Sequence, residues 1–267
     1  MSSDLGADRA PRRVLRGLLG TLVILGTIEA AIRLAGSGGS GAIPPPSLVV
    51  PTIGRLVTDG AFLVNVAWTL AAWTLGMLLA TAIAVPAGIV LASSRWVHLA
   101  AVTAIDFLRP IPSVALIPLA ILLLGRGLPM RVVLIAFAAI WPILFNTITG
   151  VRAVDPVARD TARAFGLGRG RTFLDVTLPT ALPSIATGLR IAAGIALILA
   201  VSAELIAGGP PGLGTWMIGA SQAGVPRELL FAGIAVAGIL GIGINLLMVG
   251  AERRFIGWDV RMRDVSP

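Results

Sequence analysis

The residues of this chain that could do chemistry are few, and most of them are arginines. All 21 basic residues are Arg, the sequence has no Lys, Cys or Tyr, and its single histidine is His98. Without Lys there is neither a Walker A phosphate loop nor a Schiff-base lysine. Without Cys, and with one His, the usual zinc and haem ligand sets are missing as well. The sequence therefore predicts no catalytic and no metal-binding residue, which argues against an enzyme.

Polar and aromatic residues inside apolar runs are the next candidates, because ionisable and polar groups are expensive within a membrane and usually serve a function there. The candidates for a translocation path or its gate are Asn65, Trp73, Asn146, Ser202 and Glu204. Glu204 precedes a Gly-Gly-Pro-Pro turn at 208–211, where its carboxylate could form part of an outer gate. The alternative is a buried anchor that accepts hydrogen bonds from backbone amides of that turn. For the asparagines the alternative is hydrogen bonding between helices.

The elements that must position these residues are membrane spans. The chain is 56% hydrophobic and 13% charged, with a mean hydropathy of +0.93, against roughly 25% charged residues in soluble proteins. Apolar runs separated by charges, Pro and Gly predict six transmembrane helices. They cover residues 14–34, 62–91, 99–124, 132–150, 185–207 and 230–249. Pro110, Pro112 and Pro118 require the third helix to be bent or broken.

The predicted fold class is thus an all-α polytopic membrane protein with both termini cytoplasmic (N-in, C-in). In this orientation most of the basic residues lie on the cytoplasmic side, as the positive-inside rule requires. The exceptions are Arg33, Arg55, Arg126, Arg131 and Arg227. The net charge of +8 therefore reflects topology and does not indicate nucleic-acid binding.

The predicted organisation is a single transmembrane domain between two short cytoplasmic tails. The tails are residues 1–13 and 251–267, and the domain is 14–250, with an external segment at 36–60 and a cytoplasmic loop at 152–184. The first apolar run is interpreted as a span and not as a cleaved signal peptide. Glu29 and Arg33 occupy the place where a small-residue cleavage site would lie.

The cytoplasmic loop is basic, rich in helix-forming residues and long, and loops of this length usually have a function. Residues Val157 to Phe165 predict a short helix that ends at Gly166, because glycine can adopt positive φ. A second, amphipathic helix is expected from Arg171 to Leu178. Pro179 and Pro183 are then expected to turn the chain back into the membrane.

This loop resembles the EAA loop of binding-protein-dependent ABC importer permeases, whose pattern is Glu-Ala-Ala, three residues, Gly, nine residues, Ile, any residue, Leu, Pro. The matching positions are Asp160, Thr161, Ala162, Gly166, Val176, Leu178 and Pro179. The spacing is complete, and the departures are Asp for Glu, Thr for Ala and Val for Ile. Other segments between residues 45 and 258 resemble the subgroup for nitrate, sulfonate, taurine and bicarbonate. They are 109–112, 182–190, 203–205, 212–214 and 252–254.

The resemblance implies a type I ABC importer permease fold in the bacterial inner membrane. Such a subunit provides the translocation path for a small solute, here a sulfonate, taurine or nitrate-like compound. It would work as a homodimer on two ATP-binding-cassette ATPases, surrounded by membrane lipid and loaded by an extracytoplasmic solute-binding protein. ATP and Mg would bind to the ATPase, and this chain would bind no cofactor. The implied ATPase-coupling residues are Arg159, Asp160, Thr161, Ala162, Arg163, Phe165, Gly166, Leu178 and Pro179.

A secondary transporter or channel driven by an ion gradient is the alternative function. Such a protein is expected to carry titratable groups at mid-membrane and repeated halves. The sequence shows neither clearly, and the long cytoplasmic loop would have no explanation.

Overall fold

A computed structural model describes residues 9–36 and 43–255 of the chain, and in this part the secondary structure is helical throughout. We number the α-helices in chain order. They are α1 (Arg9–Gly36), α2 (Pro46–Leu56), α3 (Gly60–Ser93), α4 (Arg95–Leu108), α5 (Ile117–Leu124), α6 (Leu128–Arg152), α7 (Pro156–Ala164), α8 (Arg169–Thr172), α9 (Leu178–Ala207), α10 (Leu213–Gln222) and α11 (Arg227–Phe255). A 3₁₀ turn, Ser113–Leu116, precedes α5, and a π-helical turn, Phe173–Thr177, joins α8 to α9.

Four segments of the described chain are long and apolar enough to cross a membrane. They are α3, α6, the continuous run from Arg169 to Ala207, and α11. Together with the bent pair described below they match five of the six predicted spans, which confirms the all-α membrane class. Helix α1 contains the predicted first span, 14–34. The count of six and the N-in, C-in orientation stay predictions.

The predicted third span is broken, as its prolines require. Helix α4 ends at Leu108, and the segment Ser113–Leu124 leaves it at an angle of 78°. Pro110 and Pro112 cannot donate backbone hydrogen bonds, so two donors of the helical ladder are lost within three residues. The predicted third span therefore consists of two helical segments that run in different directions.

The chain divides into two compact units, of which the larger comprises residues 64–218 and 237–267. Its core is formed where α3, α6 and α9 approach one another through small residues. A Cβ added to Gly88 would lie 2.7 Å from Thr147 Cβ, and one added to Gly188 would lie 2.9 Å from the Pro142 carbonyl oxygen. Small residues permit such close helix contacts where lipid supplies no hydrophobic driving force. Ala80 and Ala84, on the same helix as Gly88, are completely buried.

The smaller unit comprises residues 1–63 and 219–236. In it α2 is tied to α1 by Glu29, whose carboxylate accepts hydrogen bonds from the Ser47 amide at 3.0 Å and the Ser47 hydroxyl at 2.8 Å. Arg33, one turn further along α1, forms an ion pair with Glu29 at 2.6 Å. In its described residues, 43–60, the predicted external segment thus contains one short helix that is anchored to the first apolar helix.

The prediction that the second loop helix ends at Leu178 is wrong. The helix continues from Arg169 through the π-helical turn and α9 to Ala207, and Pro179 and Pro183 lie inside this run. In the π-helical turn the Leu178 amide donates to the Phe173 carbonyl, five residues back. The wider turn shifts the hydrogen-bond register immediately before Pro179, which has no amide hydrogen to donate. The prolines are therefore accommodated near the start of α9 without turning the chain.

Candidate functional site

Helix α7 is a short helix with a defined cap at each end. At its start the Asp155 carboxylate accepts a hydrogen bond from the Val157 amide at 2.8 Å, and Pro156 occupies the first turn. At its end Gly166 adopts φ +82°, and the Leu167 amide donates to the Ala162 carbonyl at 3.1 Å. This is the Schellman arrangement, in which a residue with positive φ closes a helix. The predicted helix at 157–165 and its termination at Gly166 are confirmed.

One side of this loop is exposed on the surface of the chain. Asp160, Thr161, Arg163, Phe165 and Gly166 are exposed. The phenyl ring of Phe165 is the clearest case, with 82% of its surface accessible. Arg163 lies 3.6 Å from Asp160, but both side chains are more than half exposed, and such surface pairs contribute little to stability. The short helix α7 and its C-terminal cap thus expose two charged side chains, Asp160 and Arg163, and the ring of Phe165.

The other side of the loop faces its own chain. Ala162 is buried, and Arg159 is half-buried and donates a hydrogen bond to the Val151 carbonyl at the end of α6. The Nε atom of Arg159 is also buried and has no hydrogen-bond partner in the described part of the chain. Leu178 and Pro179 are half-buried at the start of α9. Arg159 therefore joins α7 to the end of a membrane helix, which makes it a positioning residue within this chain.

Glu204 is at the centre of a buried polar cluster near the end of α9. Its carboxylate accepts hydrogen bonds from the Thr69 hydroxyl at 2.9 Å and from the Gly214 amide at 2.9 Å. It also forms an ion pair with Arg131 at 3.1 Å, and both charged residues are fully buried. Glu204 therefore accepts a hydrogen bond from one backbone amide, that of Gly214, which lies just beyond the 208–211 turn. A buried charge needs such partners, because an unpaired one would be strongly destabilising.

The cluster fixes the turn between α9 and α10. Arg131 donates to the carbonyl oxygens of Pro210 at 2.7 Å and Pro211 at 2.9 Å. Asn65 accepts a hydrogen bond from the Gly212 amide at 3.0 Å. A Cβ added to Gly212 would lie 2.5 Å from the Glu204 carboxylate carbon. Glycine is therefore required here by the close approach of the carboxylate.

Three parts of this site are not predicted from the sequence. The topology prediction puts Arg131 in an external segment, Thr69 is not among the path candidates, and no helix is expected where α10 lies. The sequence carries one signal for the pair: a carboxylate in an apolar helix needs a buried cation, and Arg131 stands at the start of another apolar helix.

The remaining path candidates lie apart from the cluster's hydrogen bonds. The indole of Trp73 donates to the Ala193 carbonyl at 2.9 Å, which joins α3 to α9. The Asn146 amide donates to the Pro142 carbonyl of its own helix at 2.8 Å. Ser202 is half-buried on α9, two residues before Glu204. Asn65 and Glu204 thus share one cluster, and the other three do not join it. In residues 9–36 and 43–255, no group of three acidic, His or Cys side chains could hold a metal ion.

Comparison with known proteins agrees with this architecture. The family described as "Binding-protein-dependent transport system inner membrane component" matches residues 84–256. The taurine transport system permease protein TauC of Escherichia coli is 29% identical, over 90% of this chain and 88% of that protein. The nitrate import permease protein NrtB of Leptolyngbya laminosa is 30% identical, over 93% of this chain and 95% of that protein.

A solved structure of the MetNI methionine ABC transporter shares the fold, with a TM-score of 0.64 at 19% identity over 72% of this chain and 94% of that chain. The family match covers more than half of the sequence, and the two permeases align along nearly its whole length. The chain therefore belongs to the family of binding-protein-dependent transport system inner membrane components, and it is the transmembrane permease subunit of an ATP-driven importer in the bacterial plasma membrane.

Proposed function

We propose that this permease imports a small solute that carries an oxyanion group, such as an aliphatic sulfonate, taurine or nitrate. The proposal is supported by the relatives named for taurine and nitrate. An extracytoplasmic binding protein delivers the solute, and a homodimer of this chain forms the path through the membrane. The chain itself catalyses no reaction.

The loop around α7 couples this chain to a partner ATPase, of which two copies are present. The conformational change that accompanies ATP hydrolysis in the ATPase is transmitted to this loop. ATP and Mg bind to that partner, because a chain without Lys has no phosphate-binding loop of the Walker type. The observation that carries the proposal is the capped helix α7 with its exposed Asp160, Arg163 and Phe165. A short rigid helix can transmit a displacement, whereas a flexible loop would absorb it.

Helix α7 offers side chains to the ATPase and is also connected to the membrane helices. Asp160 and Arg163 can pair with opposite charges of the ATPase, and Phe165 offers an apolar contact. Arg159 ties α7 to the end of α6, and the continuous run through α8 and α9 leads from the loop into the membrane core. A displacement of α7 by the ATPase would therefore move two membrane-spanning helices, α6 and α9.

Replacing Gly166 tests the coupling role. Gly166→Val places a β-branched residue at φ +82°, a conformation that such residues rarely adopt, so the cap of α7 should be lost. Gly168→Val is the matched control, since Gly168 has φ −65° and ψ 162° and open space around it.

Both variants would be reconstituted with the ATPase and binding protein in vesicles, and ATP hydrolysis measured with and without loaded binding protein. We expect the Gly166 variant to lose the stimulation by binding protein and the Gly168 variant to keep it. Full stimulation of the Gly166 variant would refute the coupling role. Calorimetric titration of the binding protein with ethanesulfonate, taurine and nitrate would test the solute class separately.

A further inference from the structure

We infer that Arg109, at the break between α4 and the 3₁₀ turn before α5, is the cationic contact for the oxyanion group of the transported solute. The inference rests on the proposed function and names one residue of its path. Three observations support it: the position of Arg109, the lack of an acidic partner among the described residues, and the exposure of the break.

Arg109 is the last residue before the chain loses its helical ladder. Its amide still donates to the Ile105 carbonyl at 2.9 Å, and Pro110 follows with no hydrogen to donate. Its guanidinium carbon lies 4.8 Å from the centre of the Phe145 ring. Phe145 precedes the end of α6, Arg152, by seven residues, which is about 10 Å along a helix. The charge therefore lies beside an apolar span, about two helical turns from its predicted cytoplasmic end.

The charge of Arg109 has no acidic partner in the described part of the chain. Ion pairs there join Arg131 to Glu204, Arg190 to Glu252, Arg163 to Asp160 and Arg33 to Glu29. No described carboxylate lies within 4.0 Å of the Arg109 guanidinium, although Asp106 stands one turn earlier on the same helix. The guanidinium makes a cation–π contact with the Phe145 ring, and it carries five N–H donors for other partners. An unpaired cation at this place can bind an anion.

The break around Arg109 lies at the surface of the chain. Arg109, Pro110 and Pro112 are exposed. Irregular backbone at membrane depth is tolerated where it is buried in protein or lines a water-filled cavity. Because this break is not buried in its own chain, we place it on the wall of the path. The planar guanidinium matches the oxygens of a sulfonate, nitrate or carboxylate in a two-point hydrogen bond.

A phospholipid phosphate offers the same chemistry, so the test separates the two sources. Arg109→Gln and Arg109→Lys would be reconstituted with ATPase and binding protein in phosphatidylcholine vesicles, and in vesicles with added phosphatidylglycerol. The probes are taurine, ethanesulfonate and nitrate, and the readout is solute taken up per ATP hydrolysed. Arg126→Gln is the control, because Arg126 is an exposed Arg of the loop between α5 and α6.

We expect Arg109→Gln to lower uptake per ATP by about tenfold to a hundredfold, the range for losing one charge-assisted hydrogen-bonded contact. Binding-protein-stimulated ATP hydrolysis should change less than about twofold, and the loss should be the same in both lipid mixtures. Arg109→Lys keeps the charge without the planar fork, so it should fall between the wild type and Arg109→Gln, and it serves as the test if the Gln variant does not assemble.

Wild-type uptake per ATP in Arg109→Gln would overturn the inference while leaving the proposed function intact. A defect confined to vesicles with phosphatidylglycerol would assign the contact to lipid and would overturn it as well. If the wild-type complex takes up none of the three probes, the proposed function itself fails, and the inference fails with it.

Discussion

The buried pair of Arg131 and Glu204 allows a quantitative test of what holds the turn between α9 and α10. Glu204→Gln removes the negative charge but keeps an oxygen for the Thr69 hydroxyl and the Gly214 amide. Arg131, which is fully buried, then has no counter-charge. Breaking one partner of a buried ion pair costs about 3–5 kcal/mol. For a chain of this size that corresponds to a fall in the unfolding temperature of roughly 6–20 °C, at about 2–4 °C per kcal/mol.

Arg131→Met produces the complementary defect, because it leaves the Glu204 carboxylate buried without its cation. In the double variant Glu204→Gln/Arg131→Met no charge remains in the cluster. The double variant should therefore be clearly more stable than the sum of the two single losses predicts, as replacing both members of a buried pair is often nearly neutral.

The assay is thermal unfolding of the purified protein in one detergent, followed by tryptophan fluorescence at one scan rate, since unfolding temperatures of irreversible systems depend on that rate. Arg190→Gln is the control. Its ion pair with Glu252 has a similar length, 3.0 Å, but is partly exposed, so its loss should cost less than about 1 kcal/mol. Additive losses in the double variant, or a Glu204→Gln shift no larger than the control, would refute the reasoning.

Three further predictions concern helix packing, capping and the turn. Gly188→Ala should destabilise by about 1–3 kcal/mol because its Cβ would meet backbone of α6, whereas Gly194→Ala, with open space around it, should be neutral or stabilising; thermal unfolding of both variants checks this difference. Asp155→Ala should destabilise α7 by about 0.5–2 kcal/mol through loss of its cap, seen as faster amide hydrogen exchange in α7 and unchanged exchange in α6. Asn65→Ala should free the Gly212 amide and increase hydrogen exchange at that amide, and unchanged exchange there would contradict the assigned contact.

Much of the candidate coupling loop could be predicted from the sequence because its signals are local. The end of α7 depends on Gly166 and the carbonyls of the preceding turn, and its start depends on Asp155 and Pro156. Such caps act over a few residues, so their pattern can be recognised in the sequence. The inward direction of Arg159 could not be predicted, since it depends on where α6 ends in space.

The effect of the prolines on the helices, in contrast, could not be predicted from neighbouring residues alone. Pro110 and Pro112 break a span, while Pro179 and Pro183 lie within a long helix. A proline always removes a donor, but whether the helix stops depends on the backbone around it. In the second case a π-helical turn precedes Pro179 and absorbs the missing hydrogen bond.

The sequence by itself determined the membrane class, five of the predicted spans and the capped helix of the loop, because hydrophobic runs and caps are properties of neighbouring residues. Only the tertiary structure decided that Arg131 is the partner of Glu204, 73 residues away along the chain. It also decided that Asn65 and Thr69 join the same cluster. The physical reason is that a charge in a helix interior must be paired, but the identity of its partner depends on which helices pack together.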